Sequence, residues 1–108
     1  MKIEAFPQPD WEPLPCDGCV NVEGRVVLRD EALGLAPVRF GEHGTIQEHP
    51  GANDTVVFCL EGSAWASVGE ESGEIRAGEG VFRPVGVRHR LWMEAATMTT
   101  LMCERPAS

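Results

Sequence analysis

Residues 78–89 of the chain read Gly78-Glu79-Gly80-Val81-Phe82-Arg83-Pro84-Val85-Gly86-Val87-Arg88-His89. Pro84 restricts φ and Gly86 can adopt the positive φ of a tight turn, so the chain is expected to reverse direction here. The residues on either side, 81–83 and 89–92, are typical of strand ends. The turn therefore delivers His89 to a strand with one buried face. An imidazole there is either a ligand presented to a cavity or an ordinary buried side chain.

The rest of the chain alternates short β-prone runs with glycine and proline. Residues 55–60 form the most strongly β-prone segment, and no window places apolar residues at helical spacing. Short strands at regular spacing predict an all-β barrel or sandwich. The strands are expected at residues 20–23, 25–29, 33–40, 45–49, 55–60, 63–68, 73–76, 80–83, 89–94 and 97–103.

The domain organisation follows from length and composition. A chain of 108 residues corresponds to one domain of ordinary size. Residues 1–19 are rich in proline and acidic side chains, with Trp11 and Leu14 as isolated apolar anchors, and are expected to form an extended arm. Residues 20–108 are expected to form a single barrel domain.

Charge and hydropathy exclude several classes of partner. The formal net charge of −8 argues against a nucleic-acid backbone or an anionic membrane. The longest apolar run, residues 56–60, is far too short to cross a bilayer, and residues 1–7 lack the pattern of a signal peptide. We therefore expect a cytoplasmic protein with no nucleic-acid and no membrane partner.

The four cysteines do not resemble a disulfide framework. Cys59 and Cys103 lie in predicted strands, where a thiol usually packs as a small hydrophobe. Cys16 and Cys19 form a lone C-x-x-C pair, and no second pair of ligands follows at the spacing of a structural zinc site. The sequence therefore predicts packing roles for the first two cysteines and no functional role for the pair.

The histidines suggest a site. Gln47 and His49 are two residues apart in a predicted strand, so both side chains are expected on one face. His89 comes from a separate hairpin, and His43 lies in a turn and is expected to be solvated. Two neighbouring strands and a third, all contributing inward donors, give the minimum geometry of a metal cradle in a barrel.

On these residues the sequence resembles the cupin superfamily. The second cupin motif is a glycine, five residues, Pro-x-Gly, two residues and histidine, with asparagine three residues later. Gly78, Pro84, Gly86 and His89 fall in that register, with Met93 in place of the asparagine. The resemblance extends over residues 20–103. It implies an all-β, cupin-type double-stranded β-helix, or jelly-roll barrel, with an extended N-terminal arm.

The first cupin motif matches in spacing but departs in chemistry. Gln47 stands where the first histidine is usual, and His49 takes the place of the second. The usual glutamate corresponds to Asp54 or to Thr55, depending on the direction of counting. The resemblance implies a divalent ion (iron, manganese, nickel or zinc) held by Gln47, His49 and His89, with Asp54 as the carboxylate. The alternative is a hydrogen-bonded polar cluster without a metal.

Alternation along the predicted strands outlines a substrate pocket. Residues 56, 58 and 60 are then expected to pack in the core or between the sheets. Arg83 either grips a substrate carboxylate or faces solvent, and the sequence slightly favours solvent. The residues expected to line the pocket are Thr55, Val57, Cys59, Arg83, Leu91 and Met93.

The resemblance implies a small metal-dependent cupin enzyme acting on a small polar metabolite, as an oxygenase or as an isomerase or lyase. The alternative is a non-catalytic cupin that binds or senses a ligand in a polar pocket without a metal. A homodimer is also implied, since small cupins generally pair through a sheet edge with an exchanged N-terminal arm.

Overall fold

The computed structural model describes residues 1–105, except for the side chains of residues 48 and 49. Residues 106–108 of the predicted barrel domain lie outside that range. All regular structure within it is β, which confirms the predicted class, and no helix there is long and apolar enough to cross a membrane. The strands are β1 (Glu12–Pro13), β2 (Cys19–Gly24), β3 (Leu28–Arg29), β4 (Gly34–Pro50), β5 (Asp54–Val68), β6 (Glu71–Arg76), β7 (Gly80–Arg83), β8 (Arg88–Trp92) and β9 (Met98–Arg105).

Two long strands join the two sheets of a small jelly-roll barrel. The first part of β4 pairs with β9, and its last part pairs with β8. The first part of β5 likewise pairs with β9 and β7, whereas its last part pairs with β8 and β6. One sheet therefore has the order β2-β4-β8-β5-β6, and the other has the order β4-β9-β5-β7. The architecture implied by the resemblance is confirmed.

The long strands correct the predicted boundaries. The sequence predicts separate strands on the two sides of Gly62, but β5 runs through it. Gly62 has φ +81°, and the register with β9 shifts between Cys59 and Glu61. A Cβ on Gly62 would lie 2.0 Å from the carbonyl oxygen of Thr97. The glycine therefore bends the strand from one sheet into the other without ending it. The turn expected at residues 41–44 is likewise absorbed into β4.

Alternation along the first part of β5, residues 54–60, determines which of its side chains form the core. Thr55, Val57 and Cys59 are buried, as the sequence predicts. Phe58 and Leu60 are 44% and 53% exposed, so the prediction that they pack in the core is wrong. Phe58 and Leu60 therefore lie on the outward face of the strand. The remaining core is apolar, with Val22, Val38, Phe40, Ile46, Ala64, Ala66, Ile75, Leu91, Met93 and Met98 buried.

The N-terminal residues lie against the barrel around Trp11. The guanidinium groups of Arg25 and Arg39 lie 4.6 Å and 4.2 Å from the centroid of its ring. The backbone N–H of Leu14 donates to the carbonyl oxygen of Val22, and the side chain of Leu14 packs on the core. Cation–π contacts and a buried leucine attach residues 11–14 to β2 and its neighbours.

Cys16 and Cys19 form a disulfide in the turn that leads into β2, which the sequence did not predict. Gly18 has φ +76°, a conformation that glycine adopts readily and that closes the short loop. Cys59 and Cys103 are free thiols, and Cys59 is buried. Their placement agrees with the packing role expected from the sequence.

Candidate functional site

The Pro-x-Gly turn and the loop between β4 and β5 interlock at one end of the barrel, which we call the turn end. The backbone N–H of Gly86 donates to the carbonyl oxygen of Gly51 at 2.8 Å. Asp54 Oδ1 accepts a hydrogen bond of 2.8 Å from the backbone N–H of Val85. A Cβ on Gly51 would lie 2.8 Å from Cε1 of His89, so a glycine is needed for the loop to rest on the imidazole. The two loops thus position His89.

His89 is the second residue of β8 and is 2% exposed. Its backbone pairs with Val68 of β5 on one side and with His49 of β4 on the other. The register therefore places positions 49 and 89 directly opposite each other. The side chain of His49 lies outside the described part of the structure.

Gln47 does not reach the face on which His89 lies. Cys19 pairs with Ile46, and both side chains pack on the core, so the following residue of β4 faces outward. Gln47 is exposed, and its Cβ and Cγ lie 2.8 Å and 2.4 Å from where a Cβ on Gly18 would be. The register with β8 also shifts between Ile46 and His49, which adds a residue to β4. This bulge breaks the period of two that underlies the predicted shared face.

Asp54 and Thr55, the two candidates for the usual cupin glutamate, both make hydrogen bonds to nearby backbone groups. Asp54 is half-buried and holds the turn through Val85. Thr55 is buried, and its hydroxyl donates to the carbonyl oxygen of Asn53 at 3.4 Å. Among the side chains that the structure describes, no three histidine, cysteine, aspartate or glutamate groups converge as a metal site would require. That set does not include the ring of His49.

Arg83 is buried, and the preference of the sequence for solvent is wrong. It ends β7 opposite Thr55, and it is 5% exposed. Its Nε and Nη1 atoms are buried and make no hydrogen bond within residues 1–105. Burial lowers the pKa of this guanidinium to about 10, and the negative charge of Glu104 only partly opposes the shift. A buried cation with unfilled donors is unusual in a folded protein and marks a candidate ligand contact.

Solved structures with this architecture identify the fold. No family model and no curated protein matches the sequence. An RmlC-like cupin from Shewanella frigidimarina superposes with a TM-score of 0.82 over 97% of this chain and 93% of that one, at 18% sequence identity. The protein has the cupin fold. The fold implied by the motif around His89 is thereby confirmed.

Two further cupin-fold structures are similar over nearly the whole chain. The polyketide cyclase RemF from Streptomyces resistomycificus has a TM-score of 0.86 at 18% identity, covering 99% of this chain and 80% of that one. KdgF from a Halomonas species has a TM-score of 0.81 at 14% identity, covering 99% and 96%. At these identities the similarity establishes the fold alone, so chemistry has to be argued from this chain's own residues.

The predicted pocket residues and the open space of this cupin barrel do not coincide. Val57, Cys59, Leu91 and Met93 are buried in the packed core. A cavity of about 510 Å³ instead opens between the edge strands β6 and β7. Its inward walls are Ala66, Val68, Ile75 and Val81, and its rim carries Glu71, Glu74, Glu79 and Phe82.

Small side chains on β5 and β6 leave this space open. Ala66 pairs with Gly73, and Val68 pairs with His89 across the neighbouring strand, so the cavity borders the strand position beside His89. The sequence did not reveal the cavity, because the pocket was predicted from polar residues whereas the inward walls of the cavity are apolar. The signal that was present is the small size of two lining residues, Ala66 and Gly73.

Cys59 is a structural thiol of the cupin core. Its Sγ lies 3.6 Å and 3.5 Å from the carbonyl oxygens of Glu61 and Gly62, to which the S–H donates. Burial raises the pKa of the thiol, and the charge of Glu79 adds to the increase. At neutral pH the sulfur therefore carries its proton and is a poor metal ligand.

We expect Cys59 to react slowly with thiol reagents in the folded protein, because little thiolate forms and the sulfur is buried. Under reducing-agent-free conditions, a Cys103→Ser variant should react with Ellman's reagent at least about tenfold more slowly at pH 7.5 when native than when unfolded in urea. Equal rates in the two states would show that Cys59 is accessible and would contradict this assignment.

Proposed function

We propose that this chain is a small metal-dependent cupin enzyme that acts on a small polar metabolite. The observation that carries the proposal is the register that sets position 49 of β4 opposite His89 of β8. Residues paired across an antiparallel ladder are the closest side-chain neighbours of two strands. Two imidazoles so placed are suitable ligands for iron, manganese, nickel or zinc as divalent ions.

The remaining donors at the turn end fit such an ion in part. Asp54 belongs to the loop that rests on His89 and would supply the carboxylate, with Thr55 beside it. Gln47 contributes no ligand to this proposal, because its side chain lies on the outer face against Gly18. A bound ion would supply Lewis-acid chemistry, or redox chemistry in the case of iron.

The chain's own residues have three roles in the proposed reaction. The interlocked loops hold the imidazole of His89 in a fixed orientation, since Gly86 and Asp54 bind the two sides of the turn. Burial of His89 keeps bulk water away from that side of the site. The cavity beside Val68 provides space for a small organic molecule.

A second candidate function is a non-catalytic cupin that binds or senses a ligand. It is favoured by the absence, among the described side chains, of three converging histidine, cysteine or acidic groups. In that case the polar groups at the turn end would bind the ligand directly. The two candidates differ in whether the protein needs a metal ion.

Metal content tests the leading proposal. Protein prepared without chelators, and then incubated separately with iron(II), manganese, nickel and zinc, should retain about one ion per chain for at least one of these metals. The ion should be lost in His49→Ala and His89→Gln, and it should remain in His43→Ala, because the side chain of His43 is exposed on β4. If no metal is retained in any of the four incubations, the enzyme proposal fails and the ligand-binding alternative stands.

The proposal includes a homodimer that forms through the outer face of the β9-containing sheet. Phe58, Leu60 and Phe82 are 44%, 53% and 56% exposed there. Val56 pairs with Phe82, and Phe58 pairs with Leu101, so the apolar side chains form one continuous patch. A second copy is the occupant we propose, because a patch without charges can face its own copy although each chain carries a net charge of −8.

We expect Phe58→Asp to convert the dimer to a monomer, because two new carboxylates would face each other across the two-fold axis. Sedimentation equilibrium at ~10–100 µM should show twice the monomer mass for the parent protein and the monomer mass for the variant. Val20→Asp is the control and should remain dimeric, because Val20 is an exposed apolar residue of β2 (53%) that lies outside the patch. A parent protein that is monomeric throughout this range would refute the interface.

A cytoplasmic location remains part of the proposal. Cytoplasmic redox systems keep exposed thiols reduced, so Cys16 and Cys19 should be dithiols in the cell and should close to the disulfide on air oxidation. Rapid alkylation of lysed cells followed by mass spectrometry should show both cysteines modified. A pair that is already oxidised in the cell would argue for another compartment.

A further inference from the structure

Arg83 is a buried cation without an acid to match it. Among the described residues the buried set contains no lysine, aspartate or glutamate. Glu104 is the acid that most affects the charge of Arg83, yet it is exposed and forms no ion pair with the guanidinium within 4.0 Å. A buried charge normally has a partner in a folded protein, because transferring an ion from water into the protein interior costs on the order of several kcal/mol.

The guanidinium lies at the same end of the barrel as His89. Arg83 is the last residue of β7, the Pro-x-Gly turn follows it, and His89 is the second residue of β8. Both side chains are buried, and Thr55, which pairs with Arg83, is buried beside them. The turn therefore places a buried cation and a buried imidazole at the same end of the barrel.

The two hydrogen-bond donors of Arg83 without a partner indicate which chemical class of ligand would bind there. A guanidinium binds a carboxylate along either edge of its plane, and each edge contains one of the two unfilled atoms, Nε and Nη1. A bridging water would fill a donor but would leave the charge uncompensated. Arg83 is the one buried arginine or lysine among residues 1–105. A single buried positive charge matches a monoanion better than a phosphate dianion.

We infer that Arg83 is the carboxylate-binding residue of this cupin, and that the ligand of the turn end is a small monocarboxylate. The identity of the ligand as a substrate rests on the proposed function. The anion site itself does not, because Arg83 needs no metal to bind a carboxylate. The cupin motif does not specify a carboxylate-binding residue at position 83, since the position before the Pro-x-Gly turn is commonly apolar in cupins.

Titration with acetate tests the inference on protein freed of metal by a chelator. The Nε–Hε signal of Arg83 in a ¹⁵N–¹H spectrum should shift with acetate and saturate, and the melting temperature should rise with acetate in the same range. Acetamide, the neutral analogue of the same shape, should change neither. Inorganic phosphate should bind more weakly than acetate.

Two variants and a control locate the effect. Arg83→Gln should abolish the rise of the melting temperature with acetate, and Arg83→Lys should weaken it by at least about tenfold in apparent affinity, because lysine keeps the charge but loses the planar fork. Arg88→Gln, on the exposed side of the same turn, should respond like the parent protein. If Arg83→Gln does not fold, the Arg83→Lys comparison and the parent NMR titration still decide the question.

Each result bears on one proposal. Acetate binding in a protein that takes up no metal would leave the anion site standing and remove the enzyme proposal. Metal binding that depends on His89, without any acetate response at Arg83, would overturn the anion site and leave the enzyme proposal. Equal responses to acetate and acetamide, or an acetate response that survives Arg83→Gln, would also overturn it. Preferential binding of phosphate would overturn the monocarboxylate class.

Discussion

Replacement of Arg83 by methionine is expected to increase the free energy of unfolding by about 1–3 kcal/mol at pH 7. The substitution removes a buried charge whose Nε and Nη1 lack partners among the described residues, and it keeps an unbranched side chain of similar length. Urea unfolding followed by circular dichroism measures the change. A ligand-binding residue such as Arg83 is expected to lower the stability of the ligand-free protein, because the ligand supplies the hydrogen bonds and the counter-charge only when it binds.

The increase in the free energy of unfolding caused by Arg83→Met should become smaller at high pH. The folded state lowers the pKa of Arg83 to about 10, below its ordinary value, so the charged form is disfavoured by folding. Below pH 10 both the folded and the unfolded chain carry the proton, and the full penalty is present. Above about pH 10 the folded state releases the proton first, and the penalty declines. The difference between Arg83→Met and the parent should therefore be constant from pH 6 to pH 9 and shrink above pH 10.

Arg29→Met is the matched control for this prediction. Arg29 lies in β3 and is exposed, so its replacement should change the free energy of unfolding by no more than about 0.5 kcal/mol. A loss of stability in Arg83→Met comparable to that of an ordinary large-to-small core substitution would contradict the account, because it would mean that the guanidinium has stabilising contacts.

Gly62→Ala is expected to lower the free energy of unfolding by about 3 kcal/mol or more. Two effects combine at this position. The φ of +81° disfavours any residue with a Cβ, and the new methyl group would lie 2.0 Å from the carbonyl oxygen of Thr97. Since Gly62 is the point at which β5 passes between the sheets, relief of the contact would displace the pairing with β9. Urea denaturation of the purified variant measures the loss.

Two other glycines separate the contributions. Gly78 has φ +90° but no atom within 4 Å of its added Cβ, so Gly78→Ala should lose only the conformational part, about 1–2 kcal/mol. Gly73 has open space and no positive φ, so Gly73→Ala should be neutral or slightly stabilising. Equal losses at all three positions would contradict the role given to the bend at Gly62.

Much of the fold was predictable because its main signals are local. The spacing of Gly78, Pro84, Gly86 and His89 encodes a tight turn between two strands, and alternation along residues 55–59 encodes a buried face. The strand boundaries were less predictable. A glycine such as Gly62 ends a strand in most sequences, and only the pairing of both halves of β5 with neighbours reveals that the strand continues.

The site was only partly predictable, because it depends on non-local register. The opposition of positions 49 and 89 is set by the pairing of β4 with β8, forty residues apart in sequence, and the bulge before His49 turns Gln47 outward. No local pattern announces that bulge. The burial of Arg83 could not be predicted from the sequence either, because a strand of four residues shows too little alternation to indicate which face packs on the core.

A crystal structure of the protein loaded with manganese or zinc, with an anomalous difference map, decides whether a metal centre forms at the turn end. We expect one strong anomalous peak there, with imidazole nitrogens of His49 and His89 at about 2.0–2.3 Å from it. A map in which the two rings point to opposite sides of the sheet, or in which the peak lies instead at His43 or the Cys16–Cys19 loop, would contradict the proposed metal centre.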